Sequence, residues 1–195
     1  MSHAIAPTPI TDVSHFLESA QNQHAIWQLV DGEPQAINPP SRTHGTIHNE
    51  LGLLLANHLA VATPHCIVMM TPGVVPQVNA TENYRIPDIA VTCSPYTEET
   101  WVIDSPIVLA EVLSGSNRAQ TWMNVWAFTT IASVEEIAVI HTDAIKVSLF
   151  RRQPDRTWPA DPLTIGADGI LVFESLGFHT PVRALYRNTL LDETG

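Results

Sequence analysis

The chain has 195 residues, of which 45% are hydrophobic, so it is long enough to bury a sizeable core and we expect one domain over residues 1–195. A net charge of −11 and a pI near 5.1 argue against tight nonspecific binding to nucleic acid, because that affinity comes mainly from Lys and Arg. No stretch is apolar enough to cross a membrane and the start "MSHAIAPTPI" lacks the features of a signal peptide, so we expect a soluble, cytoplasmic protein without a membrane partner.

The first third of the chain predicts a helix, a hairpin and a longer helix after a flexible segment at residues 1–10. "TDVSHFLESAQN" begins with a Thr/Asp cap and has apolar residues at helical spacing. "IWQLVDGEPQAI" is two strand-like runs around Asp31-Gly32, which is a strong hairpin signal. Ser41 follows two prolines and can cap a helix whose apolar stripe runs from Ile47 to Ala62.

The middle of the chain predicts strands. Residues 66–78 indicate a strand pair with a turn at Pro72-Gly73, and "RIPDIAVTC" indicates a strand that begins near Pro87. "IVLAEVL" is a continuous apolar run, typical of a central strand that is covered on both faces. Cys66 and Cys93 lie in apolar segments without metal-ligand spacing, so we interpret them as reduced core residues and expect no disulfide between them.

The last third predicts a helix, a hairpin, short strands and a closing helix. "NRAQTWMNVWAFTTI" is moderately helical, and its Trp122 and Trp126 favour a core or subunit interface over a base-stacking platform. "VEEIAVIHTDAIKVSLFRR" predicts a hairpin, and "TPVRALYRNTLL" predicts the closing helix. This order of elements indicates the α/β (α+β) class, with a mixed sheet flanked by helices.

Two acids stand on these apolar strands. The period of two places Asp88 on one face of "IPDIAVT" and Glu111 on one face of "IVLAEVL". If the strands are neighbours, the carboxylates can approach to roughly 5 Å, and a divalent cation such as Mg²⁺ would relieve their repulsion and desolvation. The alternative is that each acid caps a strand end or pairs with Arg85 or Arg118, and spacing alone leaves both interpretations open.

A resemblance favours the metal site. The segments "IWQLVDGEPQAINPPSRTHGTIHNELGLLL", "IPDIAVT", "VLAEVLSGSN" and "LGFHTPVRALYR" together resemble the Uma-two family of restriction-endonuclease-like proteins, within the PD-(D/E)xK nuclease superfamily, from Ile26 to Arg187. The resemblance implies a restriction endonuclease-like mixed sheet in which Asp88 and Glu111 bind Mg²⁺ or Mn²⁺ for hydrolysis of DNA phosphodiester bonds. Glu33 matches a family acid that would complete the site, and its alternative is a solvent-exposed turn residue. His44 matches a histidine near the site, and its alternative is a capping or packing role.

The lysine of the superfamily pattern is missing. In the simple motif the lysine follows the glutamate by two residues, and that position holds Leu113. In the Uma-type pattern the lysine lies on the following helix, and that position holds Val125. Lys146, the only lysine of the chain, falls in the later hairpin. Arg118 and Asn124 flank the expected position and are the candidates to hold a phosphate or a water in its place. The leading hypothesis is therefore a metal-dependent endonuclease acting on DNA. The alternative is a catalytically inactive nuclease-like fold that serves as a binding or assembly module, with a homodimer as the favoured oligomer.

Overall fold

A computed structural model describes residues 12–20, 26–96, 101–115 and 117–192. The predicted flexible segment at residues 1–10 lies outside this part. In chain order the elements are α1 (Val13–Ala20), β1 (Trp27–Val30), β2 (Glu33–Ala36), α2 (Arg42–Ala62), β3 (Ile67–Met70), β4 (Ile89–Thr92), β5 (Pro106–Leu113), α3 (Arg118–Phe128), β6 (Glu136–His141), β7 (Lys146–Arg151), β8 (Leu163–Gly166), β9 (Ile170–Phe173) and β10 (Phe178–Pro181).

The central feature is a six-stranded mixed sheet in the order β3-β4-β5-β6-β7-β8. β5 and β6 are parallel and α3 connects them, whereas the other neighbours in this sheet are antiparallel. β5 is buried almost throughout, as its continuous apolar run predicts. The expected mixed sheet flanked by helices is therefore confirmed. Within the described residues, no helix has the length and apolar character needed to cross a bilayer.

The β1-β2 hairpin forms as predicted. Its turn places Asp31 at φ 48° and Gly32 at φ 81°, both in the left-handed region. Asp-Gly suits a tight turn with two positive φ angles, because aspartate tolerates this region and glycine has no Cβ to clash. The hairpin contacts the rest of the fold through Leu29, which exchanges backbone hydrogen bonds with Tyr84.

Helix α2 begins after Ser41, whose hydroxyl accepts a hydrogen bond from the backbone N–H of His44 at 3.2 Å. Its stripe of Ile47, Leu51, Leu55 and Leu59 is buried against one face of the sheet. The predicted helix is confirmed, and its stripe is core-facing as far as Leu59, whereas Ala62 at its end is exposed.

Helix α3 covers the other face of the sheet. Val125 and Phe128 pack there with Leu109 and other buried residues of the strands. The two tryptophans do not share one environment: Trp122 packs edge-on against Phe150, but Trp126 is 75% exposed. The core alternative therefore holds in part for Trp122 and does not apply to Trp126, for which the subunit interface stays a prediction.

Two predicted elements are different in the structure. Residues 66–78 supply one strand, β3, because Thr71 adopts φ 50° and Pro72 offers no N–H, after which Gly73 and Val74 form only isolated bridges. The closing α-helix is a short 3-10 helix at Val182–Tyr186. It ends there because residue 187 is extended and residue 188 has a positive φ of 64°.

The expectation of two reduced cysteines is wrong, since Cys66 and Cys93 form a disulfide. Cys66 directly precedes β3 and Cys93 directly follows β4. Ile67 pairs with Thr92 in that antiparallel ladder, so the next residues outward face each other with their Cα atoms 4.0 Å apart. Sequence spacing missed this pair because the antiparallel register, and not the 27-residue separation, brings the sulfurs together.

Candidate functional site

Asp88 and Glu111 lie beside each other on neighbouring antiparallel strands. Asp88 directly precedes β4, and the ladder pairs Ile89 with Ala110, so one further step of the register places Asp88 opposite Glu111. The Oδ2 atom of Asp88 accepts a hydrogen bond of 2.6 Å from the backbone N–H of Val112, the residue after Glu111. The predicted neighbourhood of the two acids is therefore present, although Asp88 stands just outside the ladder.

Two histidines of α2 hold Asp88 from the other side. The Nε2 atom of His44 lies 3.1 Å from Asp88 Oδ1, and the Nε2 atom of His48 lies 2.7 Å from the backbone oxygen of Asp88. The backbone N–H of Thr71 donates to that same oxygen at 2.8 Å. The i, i+4 spacing of the histidines directs both rings toward one residue, so they orient Asp88. His44 is thus both next to the helix cap and in contact with a candidate ligand.

Glu111 is buried, at 5% exposure, and its pKa is raised well above the usual range. Burial is the main cause, and the negative charge of Asp88 is the next. One hydrogen bond opposes these effects, because the Nδ2 atom of Asn124 donates to Glu111 Oε1 at 3.0 Å. A buried glutamate whose pKa is raised by a neighbouring carboxylate forms with it a donor set that suits a hard divalent cation with oxygen ligands.

A buried arginine extends this network. Arg85 is 4% exposed, donates from Nη1 to Asn124 Oδ1 at 3.2 Å, and donates from Nε and Nη2 to Asn83 Oδ1. Burial lowers its pKa, and the charges of Asp31 and Glu111 counter that effect. No sequence feature marks Arg85 as a site residue, and the only role expected for it is that of an ion-pair partner of the acids. The amide side chain of Asn124 relays the contact from Arg85 to Glu111.

The other predicted site residues are elsewhere. Glu33 begins β2 and is exposed, and among the described residues it forms no hydrogen bond or ion pair with Asp88 or Glu111. Arg118 is half-exposed in the first turn of α3 and points toward Asp143 Oδ2 at 3.4 Å. Among the described residues, no set of three His, Cys, Asp or Glu ligand atoms within 4.8 Å of one another includes Asp88 or Glu111. The protein side chains assembled here are thus two acids with His44 and Asn124 around them.

The two lysine positions are filled by core residues. Leu113 is 2% exposed and Val125 is 4% exposed, and both belong to the apolar cluster between α3 and the sheet. Lys146 begins β7, two strands away from Glu111 in the sheet order. The cation nearest to Glu111 through hydrogen bonds is therefore Arg85, by way of Asn124.

The arginines of the later part of the chain are occupied by internal partners. Five of them lie within 4.0 Å of a carboxylate, in the pairs Arg118–Asp143, Arg151–Glu136, Arg156–Glu135, Arg183–Asp168 and Arg187–Glu50. Arg152 instead donates to the backbone carbonyls of Val134 and Ile131. These pairs reduce the positive charge that the arginines of this part of the chain offer to a phosphate backbone.

Access to the acids is limited. The side chain of Asp88 is 17% exposed and Glu111 is more deeply buried, so solvent reaches the pair from the side of Asp88. A cavity of about 240 Å³ is lined by other residues, Met70, Gly73 and Trp101 among them. The candidate site therefore lies between the sheet and α2, outside that cavity.

A second polar group resembles a hydrolase arrangement but is closed to substrate. Ser148 Oγ lies 3.0 Å from His141 Nε2, and His141 Nδ1 lies 3.8 Å from Asp143 Oδ1. Ser148 and His141 are 6% and 5% exposed, and the last distance is too long for a hydrogen bond. Burial lowers the pKa of His141, which keeps the ring neutral. We therefore assign this group to the packing of β6 against β7.

Comparisons with known proteins agree with the fold. The model of the family Uma2, described as "Putative restriction endonuclease", matches residues 13–183. The protein named "Uncharacterized protein slr1290" from Synechocystis sp. is 26% identical over 186 residues, which cover 93% of this chain and 94% of the relative. The crystal structure of "a putative nuclease belonging to DUF820" from Anabaena variabilis has a TM-score of 0.70 at 15% identity, covering 90% of this chain and 97% of that one. At this identity the structural likeness shows a shared fold.

Proposed function

The chain belongs to the Uma2 restriction-endonuclease family, and on that premise we propose that it is a nuclease that hydrolyses DNA phosphodiester bonds with Mg²⁺ or Mn²⁺ held by Asp88 and Glu111. One observation carries the proposal: these two carboxylates stand side by side on antiparallel strands, and the pKa of Glu111 is raised by burial and by the charge of Asp88. Glu111 carries this electrostatic cost without a salt bridge of its own, so the site is suited to a cation from solution.

The donor chemistry fits the expected metal. Carboxylate oxygens are the ligands that Mg²⁺ prefers, and one or two of them suffice because this ion keeps several waters. A bound divalent ion would supply a Lewis acid for the phosphoryl oxygen and lower the pKa of a water. Asp88 and Glu111 would hold the ion.

The surrounding residues have positioning roles in this proposal. His44 fixes one oxygen of Asp88 and the backbone N–H of Val112 fixes the other, so the aspartate has one orientation. Asn124 fixes Glu111, and Arg85 fixes Asn124. Arg85 also places a buried positive charge near the acids, which is the electrostatic part of the role that the family pattern gives to lysine.

The direct test is a cleavage assay on plasmid and single-stranded DNA with Mg²⁺ or Mn²⁺. We expect nicking by the wild-type chain, and loss of at least about 100-fold of the rate in Asp88→Asn and in Glu111→Gln, because each removes a ligand charge. Glu82→Gln is the matched control, since Glu82 is exposed and away from the site. Equal rates for both site variants and the control would overturn the assignment.

A second candidate function is a binding or assembly module with the nuclease fold and no catalysis. Specific observations favour it: Leu113 and Val125 fill the lysine positions as core residues, and most late arginines are ion-paired within the chain. Calorimetric titration with Mn²⁺ distinguishes the candidates. Binding that Glu111→Gln abolishes supports the metal site, whereas no binding near neutral pH, together with a dimer in sedimentation, supports the assembly module.

A further inference from the structure

A cluster of potential ligands lies at the opposite end of β4 from Asp88. The side-chain ligand atoms of His65, Cys66 and Cys93 all lie within 4.8 Å of one another, the one such group of three among the described residues. His65 is exposed, Cys93 is partly exposed and Cys66 is buried. In the structure the two sulfurs are joined as a disulfide, so the cluster holds three metal-binding groups of which two are covalently occupied.

The cluster is spatially separate from Asp88 and Glu111. Asp88 directly precedes β4 and Cys93 directly follows it, so the two are five residues apart along an extended chain, or about 16 Å. Cys66 sits at the start of β3, which is the edge strand of the sheet. The exposed imidazole of His65 gives solvent ions a route to the sulfurs. Nothing in the proposed nuclease function uses these residues.

The chemistry of the three groups selects a class of ion. Two thiolates and one imidazole suit Zn²⁺ and similar ions, with bonds of about 2.3 Å to sulfur and 2.0–2.1 Å to nitrogen and a water in the fourth position. Tetrahedral geometry requires the sulfurs to separate to roughly 3.8 Å, which side-chain rotation can provide once the S–S bond is broken. Mg²⁺ prefers oxygen ligands and is not expected here.

We propose that His65, Cys66 and Cys93 form a Zn²⁺ site in the reduced protein, and that the Cys66–Cys93 disulfide and the bound metal exclude each other. A dithiol reductant breaks the S–S bond: two electrons and two protons pass to the cysteines, and the reductant becomes a disulfide. Zn²⁺ then binds the two sulfurs as thiolates with the neutral imidazole, and two protons leave to solvent. Reoxidation transfers the two electrons to a disulfide acceptor and releases the metal.

The test uses the full chain, reduced with a phosphine, desalted under nitrogen and titrated with Co²⁺ as a spectroscopic substitute for Zn²⁺. We expect one Co²⁺ per chain with thiolate charge-transfer absorption, displaced by Zn²⁺, and affinity at least about 100-fold weaker in the disulfide form because the thiolates are consumed. His65→Ala should weaken binding by about 10-fold or more through loss of one ligand. Its side chain is exposed, so this variant is expected to fold.

Three results would overturn the proposal. They are no charge-transfer band in the reduced wild type, equal affinity in the reduced and disulfide forms, or a band of unchanged intensity in both Cys66→Ser and Cys93→Ser. Asp88→Asn should leave Co²⁺ binding at the cysteines unaltered. If Asp88→Asn loses DNA cleavage but keeps the thiolate absorption of bound Co²⁺, the cysteine site is distinct from the proposed nuclease site.

Discussion

Replacing Glu111 by glutamine should stabilise the metal-free protein at neutral pH. Glu111 is 5% exposed, and burial followed by the charge of Asp88 raises its pKa above the ordinary value of 4.5. A group whose folded pKa is raised contributes stability below its unfolded pKa and loses that contribution as pH rises through the folded pKa. Glutamine keeps the shape, and its amide oxygen can still accept the hydrogen bond from Asn124.

The stability gained by Glu111→Gln has an upper limit, because the Glu111 carboxyl can be protonated in the folded protein. Because the buried carboxyl can take up a proton, the free energy that its burial costs at pH 7 is at most the free energy of that protonation. The ordinary pKa of 4.5 lies 2.5 pH units below pH 7, and at about 1.36 kcal/mol for each unit the limit is about 3.4 kcal/mol. The amide N–H₂ of glutamine needs a partner of its own, which removes about 1 kcal/mol of the gain. We expect a gain of about 1–2 kcal/mol at pH 7, or roughly 2–8 °C in Tm for a chain of this size.

The assay is thermal unfolding in a chelator from pH 4 to 8, with two control variants. The gain of Glu111→Gln should be lost by pH 4.5, where the cost of the amide leaves the variant slightly less stable than the wild type. The gain at pH 7 should shrink when Mn²⁺ is added, because the metal stabilises only the wild type. Glu82→Gln, at an exposed residue, should change Tm little at any pH. Glu136→Gln should be destabilising. A Tm for Glu111→Gln that equals the wild type at pH 7 and pH 8 would refute the reasoning.

Three further changes test the contacts around the site and the core. Asn124→Ala should weaken Mn²⁺ binding by about 10–100-fold in calorimetry, since it frees Glu111 from its hydrogen bond, whereas Gln120→Ala should leave the affinity within about threefold. Tyr186→Phe should lower the free energy of unfolding by about 1–3 kcal/mol in a urea titration, because the buried hydroxyl accepts from the Lys146 N–H at 3.0 Å; wild-type stability would contradict this. Gly73→Ala should cost about 1–3 kcal/mol in thermal unfolding, as its Cβ would lie 2.1 Å from the Tyr84 hydroxyl, whereas Gly45→Ala meets open space and should be neutral or stabilising.

The elements that could be predicted are those with a local signal. The hairpin at Asp31-Gly32 depends on two residues that accept positive φ, and α2 depends on the Ser41 cap and a continuous apolar stripe. The prediction of a closing α-helix was wrong because residue 187 leaves the helical backbone conformation and residue 188 adopts a positive φ, which the apolar spacing of the segment does not reveal. The prediction of two reduced cysteines was also wrong, because the Cys66–Cys93 disulfide depends on the register of β3 on β4 and not on sequence spacing.

The site was predictable only where it lies along a strand. Alternation and family motifs selected Asp88 and Glu111, and strand pairing brings them together. Arg85 could not be recognised as a site residue from the sequence. It is linked to the site through its hydrogen bond to Asn124, which lies 39 residues away on α3. Arg118 was selected for its position in the motif, yet its side chain extends toward Asp143 and solvent. The positions of Arg85 and Arg118 relative to the site are thus determined by contacts between segments that are distant in the sequence.

Glu111 and Glu136 show how a buried acid with a proposed ligand role differs from one with a structural role. Glu136 is 1% exposed, and its oxygens accept from Arg151 Nε at 2.9 Å, from the backbone N–H groups of residues 174 and 175, and from Ser175 Oγ. Its charge is matched inside the protein, so it joins β6 to β7 and the segment after β9. Glu111 has a single amide hydrogen bond and a second acid beside it. An equally buried carboxylate left without a cation in contact reduces stability, and cation binding at Asp88 and Glu111 would remove that cost.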